Sequence, residues 1–260
     1  MVQEIGELNV SDIEKRDVDK VLQLRNDISP FLVHLTKDTG HSAKHNLGSI
    51  LRSMTIKYGT KKPISDANYK VAYFGLDLKT RLTYFSAVSF TEAPLNEIQN
   101  LLEIKGRQID LQPYGLVFLK HKLMRKGVSP VFYVNNMMGN KDKTVEALCS
   151  LMKTHAKEAE GILPFVSFFG KFLKPSCGGT ASKRMKDFMW EREWRYASRK
   201  FCFKFEKKDV FMGLCPDREI SDFESRFQWL TFIDPRRNMK WYSEKLIEAR
   251  KRARLKQIAI

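Results

Sequence analysis

The sequence predicts an α+β fold with a mixed or antiparallel sheet and flanking helices. Three observations lead there. Short apolar runs rich in β-branched and aromatic residues outnumber the stretches with helical spacing. They do not alternate with helices in the regular rhythm of a parallel, doubly wound sheet. The 260 residues are 43% hydrophobic and include 18 Phe, so a sizeable core can form and disorder through low hydrophobicity is excluded. No internal repeat, low-complexity tract or long linker divides the chain. The expected organisation is an N-terminal arm over 1–28, a main domain over 29–236 and a basic C-terminal helix over 237–260 packed on it.

Residues 1–28 are polar and charged. FLVHLT (31–36) lies between Pro30 and Asp38-Thr39-Gly40 and reads as a strand. Ala43, Leu47, Ile50, Leu51 and Met54 recur at helical spacing, with Ser42 placed as the cap. Strands are expected at 70–76 and 82–91, a short helix at 95–104, strands at 114–121 and 130–135, and a helix at 142–159. KPSCGGTAS (174–182) is a loop signal. It leads through Lys183, Arg184 and Lys186 into WEREWR (190–195), read as a strand. Further short strands are expected at 200–205, 209–214 and 229–233, and a long basic helix at 237–258.

Lys and Arg number 46 against 30 Asp and Glu, a net charge of +16 and a pI near 9.7. Such a field concentrates polyanions: nucleic acid, an anionic membrane surface, an acidic protein or a multiply charged small molecule. The densest basic runs are 183–186 and Arg250, Lys251, Arg252, Arg254 and Lys256, either of which also reads as a solvated face. No stretch approaches a membrane span, and the acidic, polar N-terminus carries no readable signal peptide. Cys149, Cys177, Cys202 and Cys215 form no metal-ligand spacing. Reduced thiols and a cytoplasmic location are the expectation.

WEREWR carries the strongest chemical signal. Strand alternation puts Trp190, Arg192 and Trp194 on one face and Glu191, Glu193 and Arg195 on the other. Paired carboxylates beside a glycine-containing loop are an unusual core filling; the plain alternative is an edge strand with a solvated charged face. His34 and Thr36 share a face of their strand, where a lone His also serves as an ordinary core residue. SFTEAP (89–94) places Ser89 and Thr91 on one face at a strand end, followed by Glu92.

Together, the His-x-Thr strand followed by NLGSIL (46–51), the FTEAP strand end and the late E-x-E-W-R strand resemble the ADP-ribosyltransferase fold. The opening segment is similar to the HxT…NLxxIL start of DarT-type DNA-modifying toxins. SFTEAPL…YGLVFLK…GVSPVFYV…WEREWR resembles the AbiGi family of phage abortive-infection proteins across most of residues 30–235. The resemblance implies a split sheet whose cleft holds NAD as substrate. The nicotinamide–ribose bond then breaks through an oxocarbenium-like transition state, steadied by a carboxylate on the ribose hydroxyls.

By that resemblance Glu193 is the catalytic carboxylate and Glu191 acts on the acceptor. His34 holds the adenosine ribose with Thr36 beside it. Tyr84, Ser89, Phe90 and Thr91 complete the NAD site, with Tyr84 or Phe90 stacked on the nicotinamide. The basic residues Lys183, Arg184 and Lys186 lie in the substrate-recognition loop, 176–189, and hold the phosphate backbone of a nucleic-acid acceptor. RNA is slightly preferred over DNA, on the charge of the chain and the lack of a recognisable DNA-docking motif. A cognate antitoxin is an expected partner; a membrane and a metal are not. The family also carries an antitoxin label, which implies instead a non-catalytic antitoxin or nucleic-acid-binding protein. A third reading, a metal nuclease built on Asp187, Glu191 and Glu193, lacks the expected Glu-x-Lys because Arg195 follows Glu193.

Overall fold

A computed structural model describes residues 28–57, 87–103, 110–135, 143–173, 183–186, 189–198 and 202–255. The expected strand at 70–76, most of that at 82–91, the arm before residue 28 and the 174–182 loop lie outside these residues.

The first strand, β1 (Phe31–Leu35), runs through the middle of a seven-stranded sheet. On one side it pairs along its whole length with β4 (Gly115–Leu119), all five residues of which are buried. Beyond β4 come β11 (Val210–Leu214) and the short β12 (Phe232–Ile233). On the other side of β1 lie β3 (Val88–Thr91), then β9 (Glu193–Tyr196), then the two-residue β5 (Ser129–Pro130) at the edge. All neighbours are antiparallel except β11 and β12, so the sheet is mixed and the fold is α+β.

Two smaller sheets complete the framework. One joins β2 (Thr55–Lys57) to β10 (Cys202–Lys204). Its Phe203 packs edge-on against Phe90 and Phe118, at 5.5 and 6.4 Å between ring centroids, and so covers one face of the main sheet. The other orders β6 (Phe132–Asn135), β7 (Val166–Leu173) and β8 (Lys183–Lys186). It leaves the main sheet directly after β5, because β6 follows with one residue between.

Helix α1 (Ala43–Ser53) forms where the spacing predicts, burying Ala43, Leu47 and Leu51 along one face. Its free N-terminal donors are met by side chains: His45 N–H donates to the Ser42 hydroxyl at 3.3 Å, and Ala43 N–H to Asp38 Oδ1 at 2.7 Å. Short helices follow at α2 (Ile98–Leu102) and α3 (Lys120–Met124), then α4 (Lys143–Thr154), α5 (Ala156–Ile162), α6 (Ile220–Arg226) and α7 (Ser243–Ala253).

Several boundaries depart from the sequence expectation, each for a local reason. The strand expected at 114–121 ends at Leu119, and Lys120–Met124 turns into a helix that carries the charged residues off the sheet. The helix expected at 142–159 breaks at His155, whose backbone is not helical (φ −138°, ψ 59°). The long C-terminal helix is shorter: a 3-10 turn at Met239–Tyr242 precedes α7, and Arg254 in the left-handed region (φ 53°) ends it. The basic run 183–186 is not loop but strand β8, its backbone paired antiparallel with Gly170 to Leu173 of β7. Gly115 is required by packing, since a Cβ there would stand 2.3 Å from the His34 carbonyl oxygen.

Candidate active site

The three motif strands, far apart in sequence, are neighbours in the order β1-β3-β9. In the β3–β9 register Ser89 faces Arg195 and Thr91 faces Glu193, so these four side chains share one side of the sheet. There the Ser89 hydroxyl donates to Glu193 Oε1 at 2.6 Å. Arg195 Nε donates to the same oxygen at 2.9 Å and its Nη2 to Oε2 at 2.6 Å. Glu193 is 8% exposed and Arg195 1%. The other guanidinium nitrogen, Nη1, reaches the backbone carbonyls of Pro164 and Val166 at 2.9 and 3.0 Å. Arg195 therefore joins β9 to the start of β7, and Glu193 sits where the seven-stranded and three-stranded sheets part.

Tyr133 of β6 completes the cluster from the three-stranded side. Its oxygen accepts the Glu193 backbone N–H at 2.8 Å. Burial pushes the Tyr133 hydroxyl up to about 12; the Glu193 N–H opposes that, while the Glu193 and Glu191 charges add to it. The phenol is thus neutral at ordinary pH and keeps its own hydrogen for donation.

WEREWR is not one strand, and the two carboxylates do not alternate along it. Met189–Glu191 forms a 3-10 turn, Arg192 takes a left-handed conformation (φ 43°), and β9 begins only at Glu193. Glu191 therefore belongs to the turn, half-buried, while Glu193 and Arg195 keep the shared strand face. Nor is β9 an edge strand, since β5 pairs outside it.

The turn is held from the opposite side of the sheet by Glu92, 7% exposed. Its Oε1 accepts from Lys120 Nζ (2.9 Å), Ser29 N–H (3.2 Å) and Arg192 Nη2 (3.3 Å), and its Oε2 from Trp194 Nε1 (2.9 Å).

The remaining predicted residues fall as follows. His34 does not join Glu193. Val33 pairs with Thr91, which turns His34 to the side of Phe90, their rings 5.7 Å apart. Its Nδ1 lies 2.9 Å from the Ser89 carbonyl, and burial holds its pKa below the ordinary value. The Thr36 hydroxyl, 5% exposed, is shared between the carbonyls of Ala43 (3.1 Å) and Tyr114 (3.0 Å), binding the end of β1 to α1. Phe90 is buried in the aromatic core. Lys183, Arg184 and Lys186 lie on β8, and Tyr84 lies outside the described residues.

Sequence reasoning assigned no role to Arg195, Tyr133 or Glu92. Only Arg195 carried a signal, its i, i+2 spacing from Glu193. Among the described residues no group of three or more His, Cys, Asp and Glu could hold a metal ion, and Asp187 lies outside them. Cys149, Cys202 and Cys215 are free thiols, and Cys177 lies outside the described residues. No described helix is long and apolar enough to cross a membrane. No family model, curated protein or solved structure matches the chain.

Proposed function

We propose that the chain is an NAD-dependent ADP-ribosyltransferase that modifies nucleic acid, RNA in preference to DNA, as a toxin in phage defence. The observation that carries this reading is the Glu193 carboxylate, held at the parting of two sheets by Ser89 and Arg195 with one acceptor position unfilled among the described residues. Its Oε1 takes two donors and its Oε2 one, so Oε2 retains a lone pair for a ribose hydroxyl. A free acceptor position of this kind suits a ribose hydroxyl and supports the reading with NAD.

When bound, NAD supplies an ADP-ribosyl group with nicotinamide as leaving group. Glu193 accepts the ribose hydroxyl and its negative charge steadies the positive charge that develops there. Ser89 and Arg195 hold the carboxylate in one rotamer, so little reorganisation accompanies the reaction. Tyr133 offers a neutral O–H donor beside it. Glu191, in the turn ahead of β9, takes the acceptor's proton. The basic strand β8 shares a sheet with β7, which Arg195 binds, and its positive charge favours a phosphate-bearing acceptor.

A second reading, a non-catalytic antitoxin or nucleic-acid-binding protein, is favoured by the same ion pair. Arg195 neutralises the carboxylate, and His34 stands on the other side of the sheet. Incubation with NAD labelled in its adenylate, followed by separation of RNA, DNA and protein, decides between them. The proposal expects label in RNA, reduced about 100-fold or more in Glu193→Gln with RNA binding retained. No consumption of NAD with any fraction overturns it in favour of the second reading.

A further inference from the structure

The C-terminal segment forms a surface remote in sequence from Glu193 and without a role in the site above. From Arg236 to Arg254 it holds eight basic and two acidic residues. At its start Trp241 is 75% exposed, an unusual position for so large an apolar ring. The Arg237 guanidinium lies over that ring, 5.8 Å from its centroid, and is itself fixed to Asp217 at 3.0 Å. Along α7 the outward strip continues from Lys240 and Trp241 through Ile247 to Lys251 and Arg254, a path of about 20 Å at 1.5 Å per residue.

Part of the charge is committed: Arg236 to Asp234, Lys245 to Glu224, and Arg252 to the Phe211 carbonyl. Lys240, Arg250, Lys251 and Arg254 have no acidic partner among the described residues. Basic residues in a last helical turn complement the helix dipole, which explains Arg250 and Lys251 but not an exposed Trp in the 3-10 turn that leads into the helix.

We propose that this surface binds single-stranded nucleic acid, with a base stacked on Trp241 and the phosphate backbone following Lys240, Lys251 and Arg254. A flat aromatic ring in a positive field is what an unpaired strand requires, because every base has a face to stack and every linkage a charge to neutralise. An anionic membrane fits less well. The apolar face of α7, with Leu246 and Ala249, is already buried against the body. The outward Trp241 and Ile247 are separated by Glu244, and Glu248 adjoins them, leaving no continuous apolar face to insert. The proposal stands whether or not Glu193 transfers ADP-ribose.

The test is fluorescence anisotropy of a labelled single-stranded oligouridylate with the full chain, titrated at several salt concentrations. Trp241→Ala is expected to weaken binding about tenfold and Trp241→Phe to restore most of it. Lys240→Ala with Lys251→Ala is expected to lower the slope of log K against log salt by about 1.4, or about 0.7 per lost phosphate contact. Oligonucleotide binding by the wild type without any transfer of label from NAD counts against the enzymatic reading alone. Unchanged affinity in Trp241→Ala overturns the proposal. So does tighter binding to duplex than to single strand, or binding to phosphatidylserine vesicles that Trp241→Ala weakens while oligonucleotide binding is unaffected.

Discussion

The Arg195 guanidinium grips the Glu193 carboxylate through two parallel bonds, although the two residues are only two positions apart on the same strand. With both nearly inaccessible, each charge depends on the other for its solvation.

Arg195→Met therefore leaves a buried carboxylate without its counter-charge and is expected to destabilise the fold by about 3–5 kcal/mol. The double variant with Glu193→Gln recovers part of that loss, since no buried charge remains. It does not recover all of it, because the Pro164 and Val166 carbonyls still lack their donor. Urea unfolding of both variants measures the difference; a single variant as stable as the wild type contradicts the ion-pair account.

Ser89→Ala removes one of the three donors on Glu193. A hydrogen bond to a charged group contributes about 1.5–3 kcal/mol, so a stability loss of that order is expected, smaller than for Arg195→Met. Label transfer from NAD should fall as well, because the carboxylate gains rotational freedom. Equal stability in Ser89→Ala and the wild type would show that the bond contributes nothing.

Two glycines should respond in opposite directions. Gly115→Ala drives a methyl against the backbone of β1, which cannot step aside, and should cost about 2 kcal/mol or more. Gly161→Ala in α5 meets nothing within 4 Å and should stabilise by about 0.5–1 kcal/mol. Thermal midpoints of the pair provide the check.

His34 gives the fold a pH dependence. Burial lowers its pKa in the folded state below the usual 6.5, so the unfolded chain takes up a proton first as pH falls. Its contribution to stability is complete above about 6.5, begins to fade there and is gone once pH passes below the depressed folded value. Midpoints recorded from pH 7.5 to 5 should fall less steeply in His34→Phe than in the wild type. Parallel slopes would mean that another group governs the window.

Where the local pattern alone decided the structure, the sequence was legible. Ser42 caps α1 as its position implies, and Phe31–Leu35 forms the expected strand. Ser89 with Thr91, and Glu193 with Arg195, share faces by alternation. What escaped depends on long-range pairing or on strained backbone. Nothing in WEREWR announces that Arg192 turns left-handed, which separates Glu191 from Glu193. The faces of His34 and Glu193 could be compared only through the register of β3, which links their strands. Tyr133 meets Glu193 because β6 leaves the edge of one sheet to enter another, a route with no local signature.

Glu92 has a consequence for how the molecule comes apart. Its two oxygens collect donors from four places: Ser29 ahead of β1, Lys120 beyond β4, Arg192 in the turn and Trp194 on β9. None of these can withdraw alone without leaving a buried carboxylate under-coordinated. The turn that presents Glu193 therefore does not fray as a surface loop would. Its amides should exchange with solvent on the timescale of the central strands, making this stretch one cooperative unit with the middle of the sheet.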